Sequence, residues 1–291
     1  MRKSNKAPLI WLAPSLIILF SITIIPTLFL FYTSLVNWEL GLPWSARSFV
    51  GLSNYFSIFR DFLFRQAVKR TIVYTVFSVG IEFILGYMIA AFLSRKSIRW
   101  KGMIIGTLII PMTVTPSIAG LIWRLYFNPN YGIINYLLSF LKVGPDWYSY
   151  SWAMSSVIIV DIWQWTPFVA LILFAGISAL PSTPFEAALV DGASKIQTMR
   201  YITIPLLKPI ILIALLLRGM DALKMFDVVF SLTGGGPADA TELLSMLVYR
   251  TGFYQTGMIG LASAIAVVLL VVIIIISKMF IRILGEKRED V

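Results

Sequence analysis

Long uncharged runs alternate with short polar turns along this chain, and the runs are helix-sized. Residues 9–36 carry no charge. That run exceeds the core of a signal peptide, about 7–15 residues, and Pro14 and Pro26 lack a small-residue cleavage pattern around them, so a retained span is expected. Further runs at 71–93, 102–123, 153–180, 209–232 and 257–277 are each long enough to cross roughly 30 Å of hydrocarbon at 1.5 Å per residue. The third is interrupted by Pro111 and Pro116. The pattern predicts an all-α integral membrane protein of six transmembrane helices, forming a single domain over residues 1–291.

The segments between these runs differ in character. Residues 37–70 hold Trp38, Trp44, Phe49, Phe56, Phe59, Phe62 and Phe64. Within them, 54–70 alternate aromatic and basic positions at near-helical spacing, which predicts one interfacial amphipathic helix. It serves either as a bilayer-anchoring aromatic belt or as a docking surface. Residues 126–152 carry Pro129, Gly132, Gly144 and Pro145 around a short apolar helix. Residues 181–208 form the one long segment that is both polar and helical. Ser182 or Thr183 is placed to cap a first helix, Pro184 suits its first turn, and Glu186 favours the positive end of the helix dipole. Gly192 breaks that helix by taking a left-handed conformation, and Ser194 caps a second piece from 195 to about 201. Pro205 is expected to end it. The result is a helix-turn-helix on the membrane face, shaped to dock into another protein.

Composition narrows the chemistry. The 291 residues are 58% hydrophobic and 13% charged, with no Cys and no His, and the mean hydropathy is +0.86. Thiol nucleophiles, disulfides, His- or Cys-based zinc sites and a histidine base are excluded. The net charge of +10 reflects topology and not nucleic-acid binding, because the basic residues flank the spans. Arg2, Lys3 and Lys6, the cluster Arg95, Lys96, Arg99 and Lys101, then Lys195, Arg200 and Lys208, and finally Lys278, Arg282, Lys287 and Arg288 fall on one side. The other side holds Arg47, Arg60, Arg65, Lys69, Arg70, Arg124, Lys142 and Arg250, mostly in one long loop, where the positive-inside rule is weakest. Both termini and the helix-turn-helix are therefore expected in the cytoplasm.

Ionisable groups within spans are costly and mark function by default. In the fifth run Arg218, Asp221, Lys224 and Asp227 follow at intervals of three, so Arg218–Asp221 and Lys224–Asp227 pairs are expected. Gly219 and the nearby Gly234-Gly235-Gly236 suggest a bent or unwound helix lining a water-filled cavity; the same charges could instead brace helices near the outer interface. In the fourth run Asp161, Trp163, Gln164 and Trp165 combine aromatic faces with amide and carboxylate groups, which suits a neutral polyhydroxylated ligand such as a sugar, or plain packing between helices. Glu82 stands alone in its span and is expected to pair with a neighbouring helix or subunit. No catalytic constellation, metal site or phosphate-cradling glycine loop is present, so any nucleotide-driven work belongs to another chain.

Glu186-Ala187-Ala188, then three residues, Gly192, nine residues, and Ile202-Thr203-Ile204-Pro205 resemble the EAA loop of ABC importer permeases, with Ile204 in place of the usual leucine. Thr233-Gly234-Gly235-Gly236-Pro237 and Asp221-Ala222-Leu223-Lys224 look like the carbohydrate branch, the MalF- and UgpA-like subunits, without MalF's extra N-terminal spans and large external domain. The resemblance implies a type I importer (MetI-like) permease fold in a bacterial or archaeal plasma (inner) membrane, multi-pass and embedded in membrane lipid. It implies a second permease as heterodimer partner, two cytoplasmic ATPase subunits that carry ATP and magnesium, and an extracytoplasmic solute-binding protein. This chain is expected to bind no cofactor itself. Glu186, Ala187, Ala188, Asp191, Gly192, Ala193 and Pro205 become the ATPase-coupling contacts. Asp161, Trp163, Gln164, Trp165, Arg218, Asp221 and Lys224 are candidates for the path of a carbohydrate substrate. A non-sugar solute such as glycerol phosphate, a polyamine or an amino acid is the alternative, and an ATP-independent channel or carrier a distant one.

Overall fold

The computed structural model describes residues 7–95 and 97–285. Arg2, Lys3, Lys6, Lys96, Lys287 and Arg288 of the topology argument lie outside the described residues. The helices are α1 (Ala7–Ser34), α2 (Ser53–Arg60), α3 (Phe62–Leu93), α4 (Lys101–Thr113), α5 (Pro116–Tyr126), α6 (Ile133–Ser139), α7 (Ala153–Ser178), α8 (Thr183–Val190), α9 (Lys195–Thr198), α10 (Ile204–Leu223), α11 (Asp227–Leu232), α12 (Leu244–Tyr249) and α13 (Ile259–Gly285). Five helical stretches are long and apolar enough to cross a membrane, and a sixth arises if α4 and α5, bent by 95° at their break, count as one span. Pro111 near the end of α4 and Pro116 at the start of α5 place that break.

The chain divides into two compact units. The first comprises residues 7–65 with Leu247–Leu270. In it β1 (Val36–Asn37) pairs antiparallel with β2 (Ser48–Phe49), and Asn54 donates from its side-chain amide to the carbonyls of Ser34 and Val36, fixing α2 beside the hairpin. Gly260 is required there: a Cβ would lie 2.0 Å from the Val36 carbonyl oxygen. Thr33 donates to Ser263 at 2.9 Å, joining α1 to the start of α13. The Trp44 ring stacks on Phe29 and carries the Arg47 guanidinium 3.8 Å from its centre, an arrangement suited to a bilayer interface. Much of α1 is exposed apolar surface, as at Trp11, Ile17 and Ile22.

The expected single helix over 54–70 is two helices. The chain breaks at Asp61, whose carboxylate accepts from the Leu63 and Phe64 amides and caps α3. The second span therefore starts at Phe62, nine residues before the apolar run does.

The second unit comprises Gln66–Met246 with residues 271–285. Its core forms where α3, α7 and α10 meet, around Ala90, Val169 and Leu173, with Phe83, Phe174, Ile177 and Ile210 packed against them. Small residues permit the approach: a Cβ on Gly86 would lie 2.8 Å from Val169, and one on Gly176 2.7 Å from Ile210. α11 lies against α5, where Gly120 leaves room for the Ser231 hydroxyl.

The fifth run departs from expectation at both ends. Pro205 does not terminate a helix. Lys195–Leu223 is one continuous helical stretch, with a π turn at Met199–Thr203 between α9 and α10. The Ile204 amide donates to the Met199 carbonyl, five residues back. Pro205 follows at the first turn of the new α-helical register, where a missing N–H does little harm. At the other end α10 stops at Leu223 and α11 resumes at Asp227, so of the bent or unwound helix expected in this half the unwound form is found.

Candidate functional site

The polar segment 181–208 folds as two short helices around a tight turn. Ser182 occupies the position before α8 without a side-chain capping bond; the Phe185 and Glu186 amides donate to its carbonyl instead. α8 ends in a turn in which Asp191 donates to the Ala187 carbonyl and Ala193 to that of Ala188. Gly192 makes this possible at φ +70. Ser194 then forms a full capping box with Gln197 at the start of α9. Glu186, Ala187, Asp191, Gly192 and Pro205 are exposed, Ala193 is half-buried, and Ala188 is buried. A concavity of about 460 Å³ is lined by Ala187, Ala188, Asp191, Gly192, Ala193 and Tyr201, among others. Beside it Leu189 and Val190 are 80% and 87% exposed. These apolar knobs stand at high exposure beside the hollow.

The membrane-embedded charges are arranged differently from the expected local pairs. Arg218 on α10 does not pair with Asp221. It donates through Nε to Glu82 Oε2 at 2.7 Å and through Nη2 to Glu82 Oε1 at 2.9 Å, on α3, and Nη2 also pairs with Asp161 Oδ2 on α7. All three side chains are at most 1% exposed. The guanidinium also stands 5.5 Å from the centre of the Trp165 ring. Glu82 thus pairs with a neighbouring helix, as expected. Lys224 does not pair with Asp227 either; it bridges to Asp221 at 3.2 Å, with both side chains well exposed, while Asp227 accepts from Ser117. The physical reason is the direction of the α10 face. Arg218 points into the unit, where Glu82 on α3 and Asp161 on α7 stand within hydrogen-bond reach, and α10 ends before Lys224 and Asp227 can share a helical turn.

Gln164 is buried and donates to the Val114 carbonyl at 2.7 Å, which satisfies a backbone group released by the break between α4 and α5. Trp163 packs edge-on against Trp123 and lines an apolar cavity of about 570 Å³ with Leu85, Ile104, Pro111 and Pro167. Asp161 and Trp165 thus gather around the buried Arg218, Gln164 turns to the α4–α5 break, Trp163 faces the apolar cavity, and Asp221 and Lys224 lie at the α10 end. Residues that sequence reasoning passed over join the buried group. Thr71, Tyr74, Thr75 and Ser78 form a polar stripe at helical spacing on α3 that leads to Glu82, and the Thr71 hydroxyl accepts from the Leu244 amide. The spacing was readable, but these hydroxyls are unremarkable in an apolar run. Among the described residues no group of three or more His, Cys, Asp or Glu is placed to hold a metal ion.

Helices apolar and long enough to cross a membrane, a buried inter-helix ion cluster and an exposed polar helix pair mark a multi-pass membrane protein. The chain belongs to the family of binding-protein-dependent transport system inner membrane components, whose model matches residues 82–289. It is 35% identical over 290 residues to the trehalose/maltose transport system permease protein MalF of Thermococcus litoralis, covering 99% of this chain and 96% of the relative. It is 34% identical over 281 residues to the sulfoquinovosyl glycerol transport system permease protein SmoG of Agrobacterium fabrum, covering 95% and 89%. Its fold matches a chain in the crystal structure of a bacterial alginate ABC transporter in complex with an alginate pentasaccharide-bound periplasmic protein, at a TM-score of 0.79 and 22% identity over 97% of this chain and 96% of that one. The type I (MetI-like) importer permease fold is thereby established.

Proposed function

We propose that this chain is one of two permease subunits, paired as a heterodimer, in an ATP-driven importer of a sugar or oligosaccharide. An extracytoplasmic binding protein delivers the solute. Two cytoplasmic ATPase subunits hold ATP and magnesium, and this chain binds no cofactor. Both termini and the α8–α9 turn face the cytoplasm of a bacterial or archaeal cell, in keeping with the basic residues Lys195, Arg200 and Lys208 around that turn. The sugar reading is supported by relatives named for trehalose/maltose and sulfoquinovosyl glycerol transport.

One observation carries the coupling role. The exposed turn at Gly192 runs into a single helical stretch, Lys195–Leu223, which holds Arg218 about 35 Å further on at 1.5 Å per residue. A push on Leu189 and Val190 from an ATPase cleft thus reaches the ion cluster joining α10 to α3 and α7. Glu186, Ala187, Ala188, Asp191, Gly192, Ala193 and Pro205 line or frame that contact. The test is reconstitution of the complex in liposomes with its binding protein. ATP-dependent sugar uptake is expected, with none from this chain alone, and Glu186→Lys should abolish uptake while the membrane subunits still copurify. Sugar flux from this chain alone, or unchanged uptake in Glu186→Lys, overturns the proposal.

A further inference from the structure

Apart from the buried cluster around Arg218, a second group of polar side chains lines a separate cavity. A cavity of about 650 Å³ opens between α5, the Asn128–Gly132 turn, Tyr148 and the glycine loop after α11. Its volume falls within the about 300–1,000 Å³ of small-molecule sites. Leu121, Leu125 and Leu232 supply apolar wall.

The polar lining is built and held. Asn128 Oδ1 accepts from the Asn130 and Tyr131 amides at 2.9 and 3.3 Å, which leaves its amide nitrogen uncommitted among the described residues. The same turn is closed by the Gly132 amide on the Asn128 carbonyl at 2.8 Å. Only glycine fits there, since a Cβ on Gly132 would lie 2.4 Å from two backbone oxygens. Tyr131 is thereby held out at 71% exposure. On the facing wall Tyr148 donates its hydroxyl to the Arg124 carbonyl at 2.5 Å. Burial pushes its phenol above the ordinary value, so it remains a neutral donor. The glycine loop is cross-braced by Thr233 on Thr241 at 2.7 Å and by Thr241 on the Gly236 carbonyl at 3.1 Å. Arg124 itself forms no ion pair among the described residues.

We propose that this cavity is a binding site for a sugar carrying an anionic group, with Arg124 on the anion, Tyr131 and Tyr148 against the ring, and Asn128 on its hydroxyls. The assignment deepens the function proposed above and rests on it for the direction of delivery: by the same orientation, Arg124 and the 126–152 loop lie on the outer side. An unpaired guanidinium matches carboxylate or phosphate oxygens in a fork that water and neutral hydroxyls reproduce poorly. Aromatic rings take the apolar C–H face of a sugar. The pre-braced turn and loop reduce the ordering penalty of binding.

The test is equilibrium binding to the assembled importer in nanodiscs, without ATP, by saturation-transfer NMR. The probes are glucose, glucuronate and glucose 6-phosphate; the last two separate a carboxylate from a phosphate preference. At least one charged probe is expected to bind roughly 10- to 100-fold more tightly than glucose, the range of a charged hydrogen bond. Arg124→Gln should remove that preference, whereas Tyr131→Ala should weaken all the probes that bind. Equal binding of the three probes, or a charge preference that survives Arg124→Gln, overturns the assignment. Uptake is scored separately: a complex that binds charged sugar at this cavity but shows no ATP-dependent uptake refutes the transport reading and leaves the site standing.

Discussion

Removing Arg218 leaves two carboxylates facing each other with no cation in the driest part of the bundle. Glu82 presents both oxygens to the guanidinium, and Asp161 presents one, while its Oδ1 has no partner. Breaking a buried ion cluster by deleting one member costs about 3–5 kcal/mol, because the remaining charge is uncompensated. At about 2–4 °C per kcal/mol for domains of 150–250 residues, Arg218→Ala should lower the melting temperature of the solubilised protein by roughly 6–20 °C. The two acids are not equivalent. Asp161→Asn leaves a balanced, bidentate Arg218–Glu82 pair, whereas Glu82→Gln leaves Arg218 with the single Asp161 contact. The order of damage should therefore be Arg218→Ala, then Glu82→Gln, then Asp161→Asn.

Replacing all three with apolar residues of similar size, as in Glu82→Leu/Asp161→Leu/Arg218→Met, removes the desolvation penalty together with the attraction. Such exchanges are commonly neutral or stabilising, by about 1–4 kcal/mol. Thermal unfolding followed by size-exclusion fluorescence reads all four variants side by side. A melting temperature for Arg218→Ala within about 2 °C of the parent, or a triple variant as unstable as the single one, would refute the account of the cluster as an ion-paired junction. If the triple variant is stable but ATP hydrolysis in the complex no longer follows substrate, the junction transmits motion as well as holding helices.

Four other sites are open to perturbation on local geometry. Gly192 sits at φ +70 with nothing within 4 Å of a would-be Cβ, so Gly192→Ala should cost only the backbone strain of about 1–2 kcal/mol and weaken substrate-stimulated ATP hydrolysis; Gly192→Pro, which also removes the amide bond to Leu189, should abolish it. Gly120→Ala drives a methyl to 2.0 Å from the Ser231 hydroxyl and should cost about 1–3 kcal/mol by overpacking, most of it recovered in a Gly120→Ala/Ser231→Ala double variant, as melting temperatures would show. Gln164→Leu strands the Val114 carbonyl at the α4–α5 break and should cost about 1–3 kcal/mol, whereas Lys224→Ala, which removes only an exposed pair, should cost at most about 1 kcal/mol.

Features written into consecutive residues were legible, and features that depend on which way a helix face points were not. Pro111 and Pro116 announced a broken third span, and Gly192 with Ser194 announced a turn between two helices, because each acts through its own backbone. Pro205 misled for an instructive reason. A proline's missing donor ends a helix only where the register needs that donor, and the π turn at Met199–Thr203 shifts the register just before it. The charges at Arg218, Asp221, Lys224 and Asp227 misled more deeply. Spacing by three makes local pairs geometrically possible, but a buried cation is claimed by whichever acids share its dry environment. Here those acids are 136 and 57 residues away in sequence. The accounting that could have found them is electrical. Glu82 and Asp161 were the acids of the second and fourth spans, and each needed a partner at membrane depth. Arg218 was one of the two cations of the fifth run, and the chain breaks before Lys224 can turn inward. Arg218 is thereby held by three carboxylate oxygens of its own unit, whereas Arg124 forms no ion pair among the described residues.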